Sequence, residues 1–304
     1  MRIPGISIAV FIVSIVALPA STFAQIATPA VEPRASEDPD SWASLSYAHL
    51  FETDIDDTPV EVERESLLVI AGHRFELSDS VGLVTQAAYQ LSAYDFSGDG
   101  GALWEDIHQL TVLTMIDWKL DERWSLLGGG LFRFSAESDA DFGDALTGGG
   151  LGGFQYTWSE NLKTGLLLGV MSQIEDSAAI VPLPLVTWKF AESWKFRLGV
   201  SQLGAVGYGP ELSWMVSEKW ELGLGASYQR RRYRLDQGDR VGEESSMPIY
   251  ARLGWHPTPR SVIELMVGVA VAGEIRQETS RGTKIFNEDT DPSATIALRG
   301  HIRF

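Results

Sequence analysis

Cysteine is absent from the 304 residues, lysine and arginine number 24 against 41 aspartate and glutamate, and apolar runs are short. Each shortage excludes something. Without cysteine there is neither a disulfide framework nor a thiolate metal site. A formal charge of −17 argues against nucleic acid as a partner, because a binding face must neutralise phosphates with clustered cations. The longest apolar stretch, residues 6–18, falls short of the roughly 20 residues that carry a helix across a bilayer. Yet mean hydropathy near zero and 44% hydrophobic residues exclude a disordered acidic chain. Glycine and tryptophan are plentiful, with 30 and 10 residues.

The first 24 residues stand apart. Arg2, the apolar run ISIAVFIVSIVAL, Pro19 and the small-residue site Thr22-Phe23-Ala24 are the parts of a secretory signal peptide, with cleavage predicted after Ala24. Residues 25–41 hold three prolines and several acids without periodicity and read as a flexible arm.

From Trp42 onward, alternation at period 2 replaces any 3.6-residue period. In Trp194-Lys195-Phe196-Arg197-Leu198-Gly199-Val200 one face is apolar and the other cationic, and residues 220–228 and 296–304 repeat the scheme. Short polar turns such as Asp121-Glu122-Arg123 alternate with longer, mostly acidic connections such as residues 95–103, 135–146, 236–245 and 276–291. Fourteen strands result, near 42–51, 61–77, 81–94, 105–120, 124–134, 147–158, 162–173, 180–190, 194–202, 208–216, 220–235, 246–256, 261–275 and 293–304, or twelve if one weak pair drops out. The pattern predicts an all-β, single up-and-down antiparallel barrel over residues 42–304.

Trp118, Trp124, Trp158, Trp188, Trp194, Trp214, Trp220 and Trp255 all lie within a few residues of a short turn, and Trp42 begins the first strand. A soluble sandwich buries its indoles centrally, whereas a membrane barrel rings its interface with them. Phe51, Tyr89, Phe132 and Tyr228, about eight to ten residues up their strands, supply a second girdle at the separation expected of tilted strands crossing the hydrocarbon layer.

The signal peptide, alternating connections, aromatic girdles and a last strand ending Ile302-Arg303-Phe304 together resemble bacterial outer-membrane β-barrels. Val181-Pro-Leu-Pro-Leu-Val-Thr-Trp188 is similar to segments of barrel families whose role is uncharacterised. The resemblance implies a transmembrane barrel in the Gram-negative outer membrane with both termini periplasmic. It also implies contact with lipid and lipopolysaccharide, and an assembly signal at Phe304 for the barrel assembly machinery.

If the Trp, Leu and Phe positions face lipid, then Arg74, Lys119, Arg133, Lys163, Lys189, Lys195, Arg197, Arg252, Arg299 and Arg303 face inward and make the lumen polar and net positive toward the short turns. A charge on the lipid face at mid-depth costs about 2 to 4 kcal/mol, so these residues need water or partners. Two functions follow: a passive, porin-like channel for small polar or anionic solutes, or a structural barrel with a plugged lumen whose loops bind a partner or lipopolysaccharide. Arg230, Arg232 and Arg234 continue an outward register above the upper girdle, where they either contact lipopolysaccharide phosphates or form a solvated strand extension. No catalytic set, metal site or cofactor motif is expected. His108 beside Glu105 and Asp106 is a weak signal for a lipid-active enzyme, and the loop acids Glu137, Asp139, Asp141 and Asp144 are expected to be solvated.

Two backbone features complete the reading. Gly128-Gly129-Gly130 and Gly148-Gly149-Gly150 with Gly152-Gly153 predict strong curvature on adjacent strands, or a groove that admits a lipid chain or partner. Pro182 and Pro184, two apart, remove ladder bonds on one side of strand 180–190 and predict a loosened seam at its long-loop end. That seam is either a benign irregularity or an opening for lateral lipid exit.

Overall fold

The computed structural model describes residues 40–304 apart from 141–142, 175–177, 202–206, 239 and 280, so the signal peptide and nearly all of the arm lie outside the described residues. The chain forms sixteen strand segments: β1 (Ser41–Asp54), β2 (Val60–Ser78), β3 (Val81–Gly98), β4 (Ile107–Lys119), β5 (Trp124–Glu137), β6 (Leu146–Ser159), β7 (Leu162–Ser172), β8 (Ala178–Ala191), β9 (Trp194–Ser201), β10 (Gly207–Ser217), β11 (Trp220–Ala226), β12 (Gln229–Arg234), β13 (Arg240–Thr258), β14 (Ser261–Thr279), β15 (Lys284–Thr290) and β16 (Ser293–Arg303). Each wall strand pairs antiparallel with its sequence neighbours, and β16 closes on β1 from Trp42↔Arg303 to Leu50↔Thr295.

The wall has fourteen strands, because two of them are interrupted. β11 and β12 hold one register on β13, from Trp220↔Trp255 to Arg234↔Val241. Likewise β15 and β16 hold one register on β14, from Ser261↔Ile302 to Gly273↔Thr290. Two predicted long connections therefore shrink. Residues 240–245 extend β13, residues 276–279 extend β14, and residues 284–290 form β15.

Closure follows from the bilayer. In hydrocarbon each unpaired backbone N–H or C=O costs several kcal/mol, so a sheet crosses a membrane only without edges. The outer wall is correspondingly apolar, with Leu45, Val69, Ile116, Leu168, Leu224, Ile249 and Val267 all exposed. Seven of the eight girdle tryptophans are also exposed, and Trp194 lies half-buried in a stack with Trp214, at 5.6 Å and 8°. Trp220 pairs with Trp255 in the same way. Trp42 departs from the ring. It shares a face with the buried Ser44 and Ser46, its indole lies over Gly72, and it packs on the interior apolar cluster. The short turns cap themselves: Asp121 Oδ1 accepts the Arg123 and Trp124 amides at 2.7 and 2.8 Å, which holds its carboxyl below the usual range.

The two ends of the barrel differ in circumference. At the long-loop end the upper tip of β5 skips five strands and meets β12, with Arg234 pairing to Ala136. Above that level the wall consists of β1 to β5 and β12 to β15, joined between β1 and β15 by the Ile55↔Thr290 bridge and the Asp56 N–H to Asp289 O bond of 2.9 Å. Nine strands enclose little more than the eight-stranded barrels that fill with side chains. Beneath this narrow crown, β6 to β10 complete a wider barrel.

In the wall below this narrowing, glycine lets β4 to β7 approach closely. A Cβ on inward-facing Gly129, Gly149 or Gly153 would lie 2.2, 2.5 or 2.0 Å from a carbonyl oxygen of the adjoining strand. Outward-facing Gly150 and Gly152 have room, with the nearest atoms at 3.5 and 3.9 Å. Gly153→Val is therefore expected to cost at least the ~1–3 kcal/mol of core overpacking, whereas Gly152→Val leaves the urea midpoint of the refolded barrel unchanged. Equal midpoints would show that the close approach does not require glycine.

Candidate functional site

The interior is layered. Inward positions on β3 to β8 are apolar around mid-depth, where Val84, Leu113, Leu131, Leu151, Met171 and Leu183 form one buried cluster. Strict apolar-out, polar-in alternation fails there because both faces carry aliphatic residues.

Toward the short turns lies an ion network centred on Arg252. Its guanidinium donates to Glu211, Glu221 and Glu264 at 2.9, 2.7 and 3.0 Å. Arg197 donates to Glu211 at 2.7 Å, and Arg299 to Glu264 at 3.3 Å. Register makes these contacts, since Glu211 is directly opposite Arg197 and Glu264 opposite Arg299. Gly223, opposite Arg252, gives the guanidinium room, as a Cβ there would lie 3.1 Å from Nε. On the other side of the barrel Arg74 donates to Asp117 at 3.0 Å.

A cavity of about 650 Å³ opens beside this network. Apolar Met115, Leu127, Leu167 and Leu185 line one side; Lys163, Lys189, Lys195, Arg197, Arg299 and Arg303 are among the polar residues. Seven basic residues meet five glutamates, three of which are held by Arg197, Arg252 and Arg299. The remaining two, Glu160 and Glu192, sit at the short turns. Seven of the ten predicted lumen cations thus line one compartment. Arg74 and Arg133 also point inward but lie outside its lining, and Lys119 ends β4 exposed at the rim.

The long-loop end is shut. Trp104, Tyr94, Phe96 and Tyr233 pack edge to face at 5.2 to 5.6 Å around the fully buried indole of Trp104, with Ile55, Val60 and Leu235 beside them. Beneath this cap Glu244 joins Arg64, Arg231 at 3.3 Å and the Tyr94 hydroxyl at 2.6 Å. Glu137 pins the crown, accepting the Glu105 and Asp236 amides at 2.6 and 2.7 Å; it is buried, contrary to its expected solvation. Asp144 lies 3.6 Å from Arg234, and Asp141 is outside the described residues.

The three arginines above the upper girdle have acidic partners. Arg230 grips Glu243 through Nε and Nη2 at 2.5 and 2.6 Å, Arg232 binds Glu243 and also Glu278 at 3.3 Å, and Arg234 is buried. Glu243 and Glu278 lie in β13 and β14, in segments that read as loop in the sequence. His108 also has unexpected neighbours: Nδ1 lies 2.7 Å from the Tyr89 hydroxyl and Nε2 3.1 Å from Ser138 Oγ. Phe304 ends the chain with an exposed ring and exchanges backbone bonds with Ser41.

The family model described as "Domain of unknown function (DUF6268)" matches residues 85–304, and the chain belongs to that family. Among solved structures it is similar to the COG4313 outer membrane channel from Pseudomonas putida F1, with 13% identity and a TM-score of 0.50 over 90% of this chain and 100% of that one. It is also similar to a Pseudomonas aeruginosa FadL homologue, with 10% identity and a TM-score of 0.49 over 88% and 91% of the two chains. The Pseudomonas putida toluene transporter TodX gives 9% identity and a TM-score of 0.45 over 93% and 94%. At such identities the likeness is one of barrel fold. No curated protein matches the chain.

Removing one member of a buried ion network leaves its partners uncompensated, at about 3–5 kcal/mol. Arg252→Met takes the guanidinium from Glu221 and leaves Glu211 and Glu264 with one arginine each; it is expected to lower barrel stability by that order, measured by urea unfolding of the refolded protein, while exposed Arg303→Met changes it by less than about 0.5 kcal/mol. Similar losses from both would mean that the network does not hold the short-turn end together.

Proposed function

We propose that this DUF6268 chain is a gated outer-membrane channel, closed at its long-loop mouth in this state, whose cationic cavity at the short-turn mouth receives small anionic solutes. The observation that carries this reading is the cavity of about 650 Å³ lined by seven basic and five acidic residues. Its size falls within the roughly 300–1,000 Å³ of small-molecule sites. Three of the glutamates are held within the Arg252 network, and at the mouth Lys163, Lys189, Lys195 and Arg303 outnumber Glu160 and Glu192, which gives the compartment a net positive field. In a narrow, low-dielectric compartment such a field concentrates anions. The short turns and both termini face the periplasm in this reading, and the cavity opens there.

The aromatic cap is the gate. It is built on the connection 103–106, held to the crown by the Glu137 and Gln277 bonds, and on Tyr233 of β12, whose backbone stays in its ladder with β13. A plugged structural barrel is the competing reading, favoured by the Glu244 cluster that spans the lumen beneath the cap. Conductance separates the two. The native protein in planar bilayers is expected to show rare, small openings with an anion-selective reversal potential. Trp104→Ala with Tyr233→Ala is expected to raise open probability at least tenfold, and Glu in place of Lys163, Lys189 and Lys195 to shift the reversal potential toward cations. Silence in the cap variant, or cation selectivity in the native protein, would leave the plugged barrel.

A further inference from the structure

The wall loses its backbone ladder on one side of the cavity. β8 pairs with β7 along its whole length, from Leu162↔Trp188 to Ser172↔Ala178. On its other edge the ladder to β9 ends, among the described residues, at Val186↔Leu198. β9 itself continues to Ser201, paired there with β10 through Gly209↔Gly199, Tyr208↔Val200 and Gly207↔Ser201. The two strands therefore fork, each still held by its outer neighbour.

The sequence explains the fork. The Lys189 amide donates to Asn161 O, on the β7 side. Successive residues of a strand point their N–H groups to opposite edges, so odd positions of β8 face β7 and even positions face β9. Pro182 and Pro184 are even, and neither has a proton to donate. Both missing donors fall on the edge that comes apart.

Side chains span the gap instead. The Tyr208 hydroxyl, from β10, reaches across β9 and donates to the Pro184 carbonyl. Its ring packs against the interior apolar cluster. Gly199 brings no side chain, and a Cβ placed there would lie 3.6 Å from Leu185 Cδ2, so Leu185 is the filling. Leu185, Val186, Leu198, Gly199 and Val200 all line the cavity, which thus extends from the cationic mouth to the fork. Outside, exposed Leu168 and Ile180 flank the fork, and girdle residue Trp188 lies only four residues below Pro184. The fork faces hydrocarbon.

We propose that the β8–β9 fork is a lateral portal, latched by Tyr208 and Leu185, through which a single-chain amphiphile with an anionic head passes between the hydrocarbon layer and the cavity. The chemistry of the compartment selects that class. An acyl chain fits the Met115, Leu127, Leu167 and Leu185 side, and an anionic head fits the lysines at the mouth. This inference rests on the cavity being a ligand compartment, as proposed above, and adds the route and the substrate class.

The absence of cysteine from the chain makes the test clean. Leu167→Cys, on the apolar cavity wall, supplies the single thiol of a barrel reconstituted in liposomes, and its modification is followed by mass. Two probes are used: a long-chain fatty acid with a maleimide at its tail, preloaded in the bilayer, and a water-soluble sulfonated thiosulfonate supplied outside it. The membrane-borne probe is expected to label the introduced thiol, at least fivefold faster when Tyr208→Ala removes the latch and at least fivefold slower when Gly199→Leu fills the fork. Equal acyl labelling in all three backgrounds, with every barrel folded by its heat-dependent gel mobility, would overturn the portal. The water-soluble probe reports separately on the cavity. Labelling by it alone retains the ligand compartment and removes the portal, and labelling by neither probe removes both.

Discussion

Pairing of the backbone in a solvent that offers no hydrogen bonds is the constraint from which this structure follows. Once β16 returns to β1 the wall has no free edge, and every strand is held on both sides. The outward face is then free to be apolar and the inward face to carry charge, residue by residue. Where the wall departs from full pairing, the departure has a local cause and a local compensation. Pro182 and Pro184 end one ladder, and Tyr208 gives the Pro184 carbonyl the donor that β9 does not.

A second consequence is the unequal circumference. Because β5 meets β12 directly, the crown is narrow enough to fill with side chains, and it fills with rings around Trp104. In the wall below it, Gly129, Gly149 and Gly153 let neighbouring strands approach closely. Cap and wide lower cavity are thus two expressions of a single topological contact. Glu137 secures it by using one carboxylate to hold two amides from different connections.

The wall was legible in the sequence because lipid imposes a period of two and turns impose polar punctuation, so strand positions agree with the structure to within a few residues along most of the chain. Extensions beyond the membrane were less legible. Residues 240–245 and 284–290 carry too few apolar residues, Val241 in one and Ile285 and Phe286 in the other, to show a period of two, and they read as loop until the register on β14 is known. The interior was half legible. Alternation assigns Arg197, Arg252 and Arg299 inward, but their pairing with Glu211, Glu221 and Glu264 depends on the exact register between neighbouring strands. The aliphatic side of the lumen was not legible, since Leu131, Leu151 and Met171 look like lipid-facing residues when both faces are apolar. The tenth tryptophan was silent for a related reason. Nothing near Trp104 says that its loop folds into the mouth.

The two ionic layers and the aliphatic zone between them set what can traverse the interior. A small hydrated anion drawn to the lysines at the lower mouth meets the Arg252 network, then the Leu131–Met171 region, then the Glu244 cluster and the rings above it. Each charged group moved into the aliphatic zone loses hydration that no side chain there replaces. An acyl chain loses nothing there and gains roughly 0.8 kcal/mol for each CH₂ removed from water. In the closed state the interior therefore slows a free ion over the full height of the barrel, which keeps openings rare and small, and it favours a molecule that leaves its charge at the lysines and places its tail among the leucines. The fork lies on the aliphatic side, next to Leu185.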